Sequence, residues 1–98
     1  MVPLDKIKEI IRHHLSTNSD FPQGCCIEVS AHIAHECGLE TIAGFYVGPI
    51  TTGKSQRRHI LNFDPESLQF VDATAKQYDP SLPPILIFKE DSPEASLY

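Results

Sequence analysis

The chain has 98 residues, enough for one small domain and too few for two separate cores. Hydrophobic residues make up 41% and charged residues 21%, the balance of an ordinary globular chain and not of a disordered one. Thirteen acidic residues against eight basic give a formal charge of −5, which argues against nucleic-acid binding, and neither a leader nor an apolar run near the ~20 residues that cross a bilayer is present, which argues against a membrane role.

Leu4, Ile7, Ile10, Ile11 and Leu15 recur at helical spacing with Lys6, Lys8, Glu9 and Arg12 between them. This predicts an amphipathic helix of about three turns, opened by Pro3 and Asp5 and ended before Ser16. Residues 18–24, with Pro22 and Gly24, form a loop. Helical spacing returns over residues 25–37, and Gly38 supplies the stop. In this phase Cys26, Ile27, Ser30, Ile33, Ala34 and Cys37 share the core face, and Cys25 is turned about 100° away.

The remainder reads as strands: 41–50, then 59–64 and 68–74 around the turn Asp64-Pro65-Glu66-Ser67, and 85–88 last. The acidic end, residues 89–98, is expected to fray. The fold class is therefore α+β, with two N-terminal helices packed on a small antiparallel sheet of three to four strands. One domain spans residues 1–98, with a helix and loop to residue 22 and a core over 23–88.

The three cysteines, Cys25, Cys26 and Cys37, fit a disulfide framework poorly. Their number and the absence of a leader point to a reducing compartment, the cytoplasm or a cytosol into which the chain is delivered. A thiol at a helix N-terminus feels the positive end of the dipole and is the natural nucleophile. Placing Asp64 opposite Ser67 in the hairpin puts His59 directly opposite Asp72, with Cβ atoms about 4.5–5.5 Å apart on one face. Cys26 as nucleophile, His59 as acid/base and Asp72 as orienter then fill the three roles of a thiol hydrolase. Backbone N–H groups at the start of the second helix, and the Gln23 amide, are the oxyanion candidates. Cys25 is the rival nucleophile, one residue of helix phase away.

These residues resemble a known group. Gly24-Cys25-Cys26-Ile27-Glu28-Val29-Ser30 looks like the G-x-C-x-x-x-[SA] helix start of the papain-like and transglutaminase-like cysteine hydrolase superfamily. His59-Ile60-Leu61-Asn62-Phe63 and Phe70-Val71-Asp72-Ala73-Thr74-Ala75 resemble its histidine and D-x-T strands, in the same order. The resemblance implies cleavage, deamidation or transamidation of an amide bond through a thioester, on a protein or peptide substrate, with no metal or organic cofactor. Small papain-fold deamidase and toxin domains are similar in size. Leu61 stands where transglutaminase-like members often carry an aromatic residue, and the chain has no Trp, so the resemblance implies a deamidase or peptidase before a transglutaminase proper.

Two other clusters bear on function. His32, His35 and Cys37 lack the C-x-x-C spacing of a zinc site, and Cys37 lies about 200° from His35 around the helix. Lys54, Arg57 and Arg58 form a basic run immediately before His59. As a substrate-binding rim it would select acidic substrates; alternatively it folds against the acidic tail. The reading from another class is a non-catalytic interaction module with a degenerate papain-like fold, in which the same residues only pack a core.

Overall fold

The computed structural model describes residues 2–98. The apolar spacing near the N-terminus produces helix α1, Leu4–Thr17, and the spacing after the first loop produces α2, Cys26–Cys37. Gly38 ends α2 at φ 68°, a left-handed cap whose N–H bonds the Ala34 carbonyl. Strands β1 (Glu40–Phe45), β2 (Arg58–Asp64), β3 (Gln69–Asp72) and β4 (Leu86–Lys89) form an antiparallel sheet in that order. The fold is α+β, two helices on a four-stranded sheet. No described helix is long and apolar enough to cross a membrane.

Strand alternation gives the sheet two different faces. Val71 and Ile87 turn toward the helices and join Ile7, Ile10, Val29 and Ile33 in one core. Burying each aliphatic side chain there contributes roughly 1.5–3 kcal/mol. Leu61, Phe70, Leu86 and Phe88 turn the other way, where the C-terminal chain covers them with Leu97 and Tyr98. His59 is in step with Leu61, and Asp72 with Phe70, so both belong to this second face. Buried Asn62 donates to the Ser30 carbonyl (2.9 Å) and the Glu40 carbonyl (3.2 Å), tying β2 to α2 and β1. That clamp fixes the middle of α2 against the second half of β2.

Three local expectations are corrected. The core arc of α2 is set by Val29, Ser30 and Ile33, with Ile27 68% exposed. Cys25, the residue just before the helix, is the buried one, and Cys26 turns out of the core into a cleft. The hairpin register is also two residues away from the expected one, with Asp64 opposite Gln69 and not Ser67. The Asp64 carboxylate accepts from the Glu66 N–H and the Ser67 hydroxyl, so the turn needs four residues and closes through Leu68 at φ 58°. An even shift preserves the faces: continued one step past Asn62–Val71, the register sets Leu61 opposite Asp72 and makes His59 the diagonal neighbour of that carboxylate on the same side. In place of a frayed end, Pro93–Leu97 form a 3-10 helix, and Tyr98 packs on Phe88 with ring centroids 5.1 Å apart.

Candidate active site

The chain around Cys26 is bent into position by Gly24 at φ 69° and by Cys25, which acts as helix cap without a side-chain bond. Cys25 sits 2% exposed in the helix-side core, where its sulfur accepts from Asn18 Nδ2 (3.1 Å) and its S–H donates to the Gln23 carbonyl (3.3 Å). Burial pushes its thiol up, as it does for Cys37. Cys26 is the opposite case. Hydrogen bonding to His59 pulls its thiol down, burial works against this, and the Ile60 backbone N–H and the charges of His59 and Lys54 add to the pull.

His59 is 1% exposed, and Asp72 is fully buried. The His59 Nε2–H donates to Asp72 Oδ2 at 2.7 Å. With Nε2 so engaged, Nδ1 is the remaining ring nitrogen, and Gln77 stands beside it. Burial, the largest single influence, disfavours the imidazolium. The hydrogen bonds and charges of Asp72 and Cys26 together outweigh it and raise His59 to about 9. The thiol is thus pulled down and the imidazole up, the two directions that a thiolate–imidazolium pair requires.

The acid and the base are both further held. Asp72 Oδ1 accepts from the Thr74 N–H (2.9 Å), while the Tyr98 hydroxyl donates to the same Oδ2 that receives His59. Tyr98 lies nearly parallel to the imidazole at 6.2 Å, and Tyr78 meets it edge-on at 5.2 Å. Tyr46 stacks on Tyr78 at 4.2 Å. Gly48 is required beneath this cluster, since a Cβ there would stand 2.6 Å from Leu97 and 2.7 Å from the Tyr46 hydroxyl. Fully buried Gln77 places Nε2 3.4 Å from His59 Nδ1 and 3.2 Å from Thr74 Oγ1, and its Oε1 has no partner.

Cys26, His59 and Gln77 open onto a cleft of about 310 Å³, bounded also by Gly24, Ala43, Gly44, Lys54, Gln56 and Arg58. Its size lies at the lower end of the range for ligand pockets, about 300–1,000 Å³. The cleft therefore has room for a short extended segment of chain or a molecule of similar size. Gly44 pairs with His59 across the β1–β2 ladder and leaves open the space above the ring.

The sequence candidates separate accordingly. Cys26 and His59 line the same cleft, and Asp72 is bonded to His59 behind it. Gln23 lies exposed outside the cleft, with its Nε2 donating to the Gln77 carbonyl at 3.1 Å, so it buttresses the loop and does not face the sulfur. Lys54 and Arg58 line the cleft. Arg57 does not: its guanidinium donates to the Tyr46 and Gly48 carbonyls, each at 3.0 Å, and secures the loop between β1 and β2. The basic run does not fold against the acidic tail, because none of its cations forms an ion pair with a described acidic residue.

Sequence reading missed Tyr98, Tyr78 and Gln77. Only Gln77 carried a signal, a polar residue shortly after the Asp72-Ala73-Thr74 stretch. Among the described residues no group of three or more His, Cys, Asp or Glu side chains is arranged to hold a metal ion. His14 and His32 instead bond each other at 3.0 Å between α1 and α2. Comparison of the chain with protein-family models, with curated proteins and with solved structures finds no match.

Proposed function

We propose that this protein is a cysteine-dependent amide hydrolase of the papain-like and transglutaminase-like kind, acting on a protein or peptide as a glutamine deamidase or peptidase. The observation that carries the reading is that Cys26 and His59 open onto one cleft with Asp72 bonded to the His59 Nε2, and that the thiol is lowered while the imidazole is raised. A core cysteine beside a structural histidine gains nothing from that polarisation. Cys25 and Cys37, whose thiols are raised by burial, provide the contrast within one chain.

In the proposed cycle the Cys26 thiolate attacks the substrate carbonyl carbon, and the oxyanion is received by backbone N–H groups at the start of α2. His59 gives its proton to the departing nitrogen, so the C–N bond breaks and ammonia or an amine leaves. The neutral imidazole then takes a proton from water, whose hydroxide attacks the thioester and regenerates the thiolate. The sum is amide plus water going to acid plus amine. Asp72 keeps Nε2 protonated throughout, leaving Nδ1 to do the proton work.

Iodoacetamide at about pH 6, well below the ordinary thiol range, tests the proposal. Peptide mapping should find Cys26 alkylated, Cys25 and Cys37 untouched, and the Cys26 reaction lost in His59→Ala with circular dichroism unchanged. Three inert cysteines would instead favour the interaction module. With a candidate target in hand, intact mass separates deamidation from cleavage and from crosslinking.

A further inference from the structure

The cleft carries an electrostatic signature that the chain as a whole does not. The chain bears a formal charge of −5, yet the cleft is lined by two cations, Lys54 and Arg58, and by no Asp or Glu. Neither cation forms an ion pair with a described residue. Arg57, between them in sequence, is consumed by backbone carbonyls, so the local fold sorts the basic run into one anchoring residue and two that face the cleft. Lys54 is additionally steadied over the Tyr78 ring, 5.8 Å from its centroid. Two unpaired cations beside a nucleophile are a recognition element for an anion.

We infer that the substrate bears a carboxylate close to the amide that Cys26 attacks, as in a peptide with an acidic residue flanking the reactive position. This rests on the hydrolase reading and adds its substrate class. The Lys54 and Arg58 charges draw the carboxylate into the cleft, and the adjacent carbonyl is thereby delivered to the sulfur. Exposed ion pairs of this kind change binding by about two- to fivefold each at low ionic strength, and salt weakens them.

Two alkylating reagents that differ in charge test the inference on the intact protein. Iodoacetate carries the carboxylate, iodoacetamide does not, and both attack the same thiolate, so their rate ratio at Cys26 cancels any change in the thiol itself. The ratio should fall about five- to tenfold in Lys54→Gln/Arg58→Gln, fall in the unaltered protein as salt is added, and stay constant in Lys8→Gln, a control on the exposed side of α1. A ratio unchanged by the double substitution, or insensitive to salt in the unaltered protein, overturns the inference while leaving the hydrolase reading intact. Failure of Cys26 to react with either reagent overturns the hydrolase reading, and the substrate class falls with it.

Discussion

Replacing Asp72 by Asn tests how the row is energised. Asp72 accepts from His59 Nε2 and the Tyr98 hydroxyl on Oδ2 and from the Thr74 N–H on Oδ1. An asparagine has one oxygen for these three donors and no negative charge. Whichever way its amide turns, the imidazolium loses the carboxylate that favours it. Burial, the strongest influence on His59, then acts without its main opponent, so the ring should titrate at or below its ordinary 6.5, down from about 9. That drop is worth roughly 3 kcal/mol at 1.36 kcal/mol per pH unit and removes up to about two orders of magnitude in ion-pair population. Nuclear magnetic resonance of the His59 ring protons should record the titration, and iodoacetamide alkylation near neutral pH should slow in parallel. An Asp72→Asn variant whose His59 still titrates near 9, or whose Cys26 reacts at the native rate, would refute the reasoning.

Cys25→Ala should cost about 1 kcal/mol of stability and leave Cys26 alkylation unchanged, whereas Cys26→Ala should abolish turnover with the urea midpoint almost unmoved. Tyr98→Phe keeps the ring on Phe88 but loses the donor to Asp72, so denaturant unfolding should show a loss of roughly 1–2 kcal/mol. Gly44→Val adds a side chain opposite His59 into open space, so thermal melting should hold while alkylation by a bulky reagent is blocked. The raised His59 stabilises the fold fully below about pH 6.5, and this contribution is lost as pH rises toward 9. In Cys26→Ser, which removes both the opposing titration of the thiol and its share of the rise in His59, chemical denaturation should show stability falling from about pH 6.5 over a narrower window that closes below 9, and the fall should vanish on adding Asp72→Asn.

The helices and strands were legible because apolar spacing and glycine or proline punctuation agree along most of the chain, as at Ile7-Ile10-Ile11 and Gly38. The faces of the hairpin were legible too, since parity survives a register error of two. The register itself was not, because the Asp64 side chain draws the turn wider than its Pro65 suggests. The orientation of adjacent Cys25 and Cys26 depends on one residue of helix phase, and Val29 fixes it by claiming the core. Tyr98 was invisible for a different reason. Its partner Asp72 is 26 residues away in sequence, and the acidic stretch before it carries no periodic signal. Arg57 likewise looks like its neighbours until the carbonyls of Tyr46 and Gly48 are brought to it.

Thiolate absorbance in the ultraviolet, followed against pH as the difference between the native protein and Cys26→Ser, addresses the ion pair itself without any substrate. The Cys26 thiolate should appear at a pH below the ordinary thiol range, and His59→Ala should return its appearance to that range. A signal that emerges only in the ordinary thiol range, about pH 8.5, with or without His59, would contradict this.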